Sequence, residues 1–144
     1  MLKDAVFLTQ TDTTIGFVSQ NAERLTEAKQ RAPHKYYIRA VNSLRTLHRL
    51  TRVPSKYKNR VRRQKKTTFI FPNGLSYRVI RDPHHLLLLN RLTWAYTSSA
   101  NVSNAPYDEA YAKRVADVII TPLRETTQAS HIYKLGNKVL KKVR

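Results

Sequence analysis

The apolar and polar positions of the chain fall into short segments of two periods, one that suits strands and one that suits helices. Residues 5–9, AVFLT, form an apolar run that predicts a buried strand, with the polar TDTT as its exit loop. Asn21 precedes a helical pattern running to about Gln30, with Leu25 and Ala28 facing inward and Lys29 and Arg31 at its end. Residues 36–41, YYIRAV, predict a second strand, and Ser43 caps a helix whose Leu44, Leu47 and Leu50 recur at helical spacing. After a basic loop over residues 55–66, TTFIF and LSYRVI flank Pro72, Asn73 and Gly74 as the arms of a hairpin. Asp82 and Pro83 are a cap and first-turn pair for HHLLLLNRL, and WAYTS returns as a strand. Residues 108–115 predict another helix and residues 117–121 a short strand. HIYKL and KVLKKV, around Gly136, predict two more strands.

Strands alternating with helices, plus a hairpin, indicate an α/β fold with a mixed sheet. The 144 residues, 41% of them hydrophobic, suit a single domain with one modest core. No run of about 18 apolar residues exists, so no membrane partner is expected. The opening MLKDAVFLTQ lacks the pattern of a signal peptide, and the expected compartment is the cytoplasm. The absence of cysteine excludes disulfides, thiolate metal sites and cysteine nucleophiles.

Charge changes the picture most. Lys and Arg number 27 against 9 Asp and Glu, a formal net charge of +18. Between Ala28 and Arg81 there is no acidic residue at all, and SKYKNRVRRQKK packs Lys56, Lys58, Arg60, Arg62, Arg63, Lys65 and Lys66 into one short stretch. That distribution points to a polyanion, with RNA or DNA first and an acidic membrane surface a distant second, and it implies no sequence selectivity, because phosphate contacts position a protein without reading bases.

The common nucleotide and hydrolase motifs are missing: there is no P-loop, no GxGxxG and no GxSxG. His84 and His85 are adjacent in a helix first turn, so their side chains diverge, and they are expected to be polar surface with no metal site. In α/β sheets ligands gather at loops leaving strand ends, and TDTT and the SSAN after WAYT both qualify. Lys29 and Arg31 either relieve the carbonyl dipole at a helix end or, with Lys35 beyond a proline turn, converge on a triphosphate.

Read in order, these pieces resemble the YrdC-like threonylcarbamoyl-AMP synthase family. TDTTIG resembles its PTDTVYG loop with Gln10 in place of proline, and KQR with Lys35 resembles its K-x-R-x-x-x-K segment. TTFIF places Thr68 at the family threonine, following Gln64, Lys65 and Lys66 in place of Pro-Gly-Pro. YRV places Arg78 at the arginine of the R-V-P strand. SSANVS resembles TSANLSG with Asn104 at the glycine, and the segment from Ser130 to Arg144 resembles the family tail, with His131 replacing threonine.

The resemblance implies a YrdC-like fold: one domain over residues 1–144, a twisted mixed open sheet flanked by helices, with a basic concave surface that binds RNA in some members. It implies a nucleotidyltransferase that condenses ATP, L-threonine and bicarbonate into threonylcarbamoyl-AMP and pyrophosphate, for modification of tRNA. By position, Thr13, Ser99 and Ser130 would hold threonine, and Arg31, Lys35, Thr68, Asn101 and Arg144 would hold ATP. Lys29 and Arg31 would carry the catalytic part at the phosphates. The resemblance leaves room for Mg2+ on the phosphates without a protein-built cage, and for other tRNA-modification proteins as partners. The alternative is a non-catalytic member that binds RNA, tRNA or a double strand. A small structural protein of the ribosome fits the charge but leaves the ordered motifs unexplained.

Overall fold

The computed structural model describes residues 2–32, 36–124, 131–136 and 140–144. Its strands are β1 (Phe7–Gln10), β2 (Ile15–Ser19), β3 (Ile38–Val41), β4 (Thr67–Ile70), β5 (Ser76–Val79), β6 (Trp94–Ser99), β7 (Val118–Ile119), β8 (His131–Leu135) and β9 (Leu140–Lys142). They form one mixed sheet in the order β7-β1-β2-β6-β3-β5-β4-β8-β9. Its helices are α1 (Ala22–Lys29), α2 (Leu44–Leu50), α3 (Lys58–Arg63), α4 (Pro83–Leu92) and α5 (Glu109–Val115).

The predicted caps Asn21, Ser43 and Asp82 hold, and Asp108, expected inside its helix, is a fourth. The Asn21 side chain accepts from the amides of Glu23 and Arg24, Ser43 from Thr46, Asp82 from His85 and Asp108 from Tyr111. Each satisfies N–H groups that a helix leaves unpaired at its start, at a typical gain of ~1 kcal/mol.

Strand register sorts side chains onto two faces, because cross-strand partners share a face. Leu8 is opposite Phe17, and Arg39 is opposite both Tyr96 and Tyr77, which in turn is opposite Phe69. On this face Leu25, Ala28 and Ala112 of α1 and α5 pack with Leu8 and Phe17, while Leu47, Tyr57 and Val61 pack with Phe69, Phe71 and Tyr77. Phe7, Val18, Ala40, Ala95 and Ile80 form the cluster on the other face, and α4 covers them with Leu88, Leu89 and Leu92. Thr97, Ile38 and Arg78 share that second face but lie outside the cluster that α4 covers.

Four expectations need correction. TDTT is the loop of a hairpin, because residues 15–19 form β2, which pairs antiparallel with both β1 and β6. IGFVS carries Gly16 and a polar end, so its local signal is weak, and the strand is made by neighbours on both sides. The basic stretch 55–66 is a 3-10 turn followed by α3, not a loop. Its two apolar residues, Tyr57 and Val61, sit four apart and are buried, so the cations face outward. The second strand starts at Ile38, two residues late, and Leu50 is exposed although Leu47 of the same helix is buried.

Gly16 sits near the start of β2, close to both the hairpin loop and β6. A Cβ there would meet the Ser98 carbonyl oxygen at 2.9 Å and the Thr11 methyl at 2.8 Å. Gly16→Ala is therefore expected to lower unfolding free energy by ~1–3 kcal/mol, read as a lower urea midpoint; an unchanged midpoint would show that β6 yields freely.

Candidate functional site

Loop 11–14 closes the β1–β2 hairpin around one hydroxyl. Thr11 Oγ1 accepts from the amides of Thr13 (3.3 Å) and Thr14 (3.1 Å) and donates to the Thr14 carbonyl at 2.6 Å. With the first threonine spent on the turn, Asp12 points inward and Thr13 lines a cavity of about 270 Å³. Arg31, Tyr37, Arg78, Ser99 and Arg144 also line it.

The end of α1 distributes two cations. Gln30 takes a left-handed conformation at φ 51°, which stops the helix. Arg31 then reaches the cavity, its guanidinium 4.8 Å from the centre of the Tyr37 ring. Lys29 turns inside instead, and its Nζ donates to the carbonyls of Ser99 and Asn101, each at 2.9 Å. Burial, and then the nearby Arg31, pull its pKa down from 10.5 to about 8.

The loop after β6 is built to one shape. The Asn101 amide donates to the carbonyls of Val102 (3.0 Å) and Ala105 (2.9 Å), and its oxygen accepts from the Ser99 hydroxyl. The Ser103 amide donates to the Lys29 carbonyl at 2.9 Å. Asn104 has φ 64°, a conformation that glycine adopts freely and asparagine tolerates better than other side chains. That accounts for asparagine at the place of the glycine in the resembling signature.

Beneath the cavity lies a group of charged side chains with little solvent. Arg78 is 4% exposed, and its Nη2 is 3.5 Å from Asp12 Oδ1, which is 4.0 Å from His85 Nδ1. Burial raises the Asp12 pKa against the opposing pull of Arg78, and burial lowers that of Arg78. His85 falls to about 3, through burial first and then the nearby Arg78 and His84, and is neutral. His85 is thus not polar surface: it follows the cap Asp82 at a position where α4 faces the sheet, and it is fully buried. His84 is half-buried beside it.

Of the residues singled out in the sequence, the cavity collects Thr13, Arg31, Ser99 and Arg144. Lys29 and Asn101 stand behind its wall as braces, and Thr68 is buried on β4, opposite Ile132 of β8. Lys35 and Ser130 lie outside the described residues. Lys56, Lys58, Arg60, Arg62, Arg63, Lys65 and Lys66 are all exposed along the 3-10 turn, α3 and the approach to β4. The sequence offered Asp12 only as part of TDTT and His85 only as polar surface; the spacing of Asp82 and His85 on a capped helix was the one signal that His85 turns inward. Among the described residues no three His, Asp or Glu side chains gather to hold a metal ion, and no helix is long and apolar enough to cross a membrane.

A nine-stranded mixed sheet with this cleft is the YrdC-like fold. The chain superimposes on Sua5 of P. abyssi in complex with L-threonine with a TM-score of 0.82, at 19% identity over 97% of this chain and 50% of that one. YciO of E. coli gives a TM-score of 0.75 at 17% identity, over 99% of this chain and 83% of that one. MTH1692 of Methanobacterium thermoautotrophicum gives 0.72 at 17% identity, over 97% and 79% of the two chains. In sequence the chain is 28% identical over 151 residues to MG259, an uncharacterised protein of Mycoplasma genitalium; the match covers 92% of this chain and 31% of that protein. The chain thus spans about a third of that curated relative and about half of Sua5. No family model matches it.

A histidine that is neutral when buried costs stability in acid. His85 takes up no proton in the fold until pH approaches about 3, whereas the unfolded chain protonates it near 6.5. Stability contributed by neutral His85 is complete above pH 6.5 and is lost as pH falls toward 3, by up to ~1.4 kcal/mol per pH unit. Asp12, shifted upward, gives the opposite slope. The difference between wild-type and His85→Gln urea titrations at pH 7 and 5 therefore isolates the effect, and parallel curves would refute it.

Proposed function

We propose that the chain is one YrdC-like domain that forms threonylcarbamoyl-AMP and pyrophosphate from ATP, L-threonine and bicarbonate. The observation that carries this reading is the convergence of Thr13, Arg31, Ser99 and Arg144 on one cavity above a buried arginine, although they are spread from one end of the sequence to the other. A carbamate formed from the threonine amine and bicarbonate, with loss of water, attacks the α-phosphate through oxygen, and pyrophosphate leaves. Such a reaction needs little from the protein beyond holding two anions in line and offsetting negative charge at phosphorus. Arg31 and Arg144 supply positive charge at the wall, and Arg78 a buried cation suited to a carboxylate. Thr13 and Ser99 offer small directional donors and acceptors that leave room for substrate. Lys29 keeps the loop carrying Ser99 in place through its two carbonyl contacts. Magnesium would arrive on the nucleotide, held by phosphate and water.

A second reading, contact with RNA, rests on charge polarity. The half of the sheet formed by β3, β5, β4, β8 and β9, with α2 and α3, contains no acidic residue, while Asp4, Glu23, Glu27, Asp108, Glu109 and Asp117 lie at the other end. A surface so divided would orient a polyanion toward one side. The related proteins are longer, and their additional segments would determine how the adenylate reaches tRNA.

Incubation with labelled ATP, threonine and bicarbonate is expected to release pyrophosphate and adenylate only when threonine is present. Turnover independent of threonine, or none, overturns the enzymatic reading. Arg31→Ala is expected to reduce adenylate formation by ~100-fold or more with RNA affinity almost unchanged; equal losses would contradict the division of labour. RNA binding is expected to weaken linearly in log salt with a slope of about −0.9 per phosphate neutralised on a duplex, and a flat response would exclude the second reading.

A further inference from the structure

The buried charges under the cavity are poorly satisfied. Asp12 Oδ1, Arg78 Nε and both ring nitrogens of His85 are buried without a hydrogen-bond partner among the described residues. Buried polar atoms are rarely left so, and a buried guanidinium without close partners is costly. Arg78 also lines the cavity, while its Nη2 faces Asp12.

The surroundings explain why Asp12 is there. Arg78 is repelled by Arg144, which lines the same cavity. Left to itself, a long flexible cation at that place would relax toward solvent. Asp12 is the acidic group that draws it back, at 3.5 Å, from a loop whose shape Thr11 fixes. His85 Nδ1 lies 4.0 Å from the same carboxylate oxygen, Oδ1, that faces Arg78. Being neutral, it fills space without competing with Arg78 for the negative charge. The distance of 3.5 Å is too long for a strong charge-assisted hydrogen bond, so the guanidinium keeps donor capacity for a second anion.

We propose that Asp12 is a positioning residue that, backed by the buried His85, orients the Arg78 guanidinium toward the carboxylate of the amino-acid substrate. Asp12 does not line the cavity and touches no substrate; it acts through Arg78. The inference rests on the reading of the cavity as a threonine site, and it adds the control of one cation by a residue behind the wall. It accounts for an aspartate within a loop otherwise made of threonines: the hydroxyls build and line, and the carboxylate aims.

Calorimetry with L-threonine alone and with ATP alone, on the full chain and its variants, tests it. Asp12→Asn, which keeps the shape and removes the charge, is expected to weaken threonine binding on the order of tenfold or more, with ATP affinity changed less than about twofold. Arg78→Lys is expected to weaken threonine similarly, and the double variant no more than the worse single one, since both act on one guanidinium. Merely structural damage would lower both affinities together. Should Asp12→Asn not fold, Asp12→Glu, which keeps the charge but shifts it by one methylene, is expected to lose threonine affinity selectively. Wild-type binding of threonine with either folded Asp12 variant binding equally, or with additive losses in the double variant, overturns the inference alone. A wild-type chain that binds no threonine overturns the substrate reading and the inference with it.

Discussion

One buried cation organises the molecule. Arg78 lies on a central strand, on the sheet face that α4 covers, at a place 4% exposed where an apolar side chain would be the ordinary choice. Keeping a guanidinium there requires a negative partner, a neighbour that does not add charge, and a route for the remaining donors. Asp12 provides the first, His85 the second and the cavity the third. The hairpin loop, the first turn of α4 and the strand β5 are thereby tied to one another through side chains far apart in sequence.

The rest of the site is held by economy of small residues. In TDTT the first threonine shapes the loop, the aspartate turns inward and the second threonine faces the cavity. After β6, Ser99 lines the cavity while Asn101 and the ammonium of Lys29 hold the loop in shape. Gly16 completes this by allowing the hairpin loop and β6 to approach closely. Lys29 is spent inside as a support, while Arg31 and Arg144 line the cavity.

The TM-scores of 0.72 to 0.82 at no more than 20% identity show that the fold persists where most side chains have changed. What such a fold requires is a row of apolar residues on each face and a gap in the cover, and several sequences satisfy that. Its chemistry lies in the few residues that reach the gap.

Local signals determined much of this protein from the sequence alone. The caps Asn21, Ser43 and Asp82, the hairpin around Gly74 and the run WAYTS depend on hydrogen bonds or side-chain alternation within a few residues, and these are legible in order along a chain. The ordered motifs also carried the fold and the convergence of Thr13, Arg31, Ser99 and Arg144. The tertiary structure alone decided β2, because IGFVS becomes a strand through partners on both sides. It alone turned Tyr57 and Val61 inward to make a helix of the basic stretch, assigned Lys29 to carbonyls and not to the cavity wall, and buried His85 against Asp12 and Arg78. Burial and charge pairing depend on residues some seventy positions apart, between Asp12 and His85, and no local pattern of hydrophobicity encodes which of them meet.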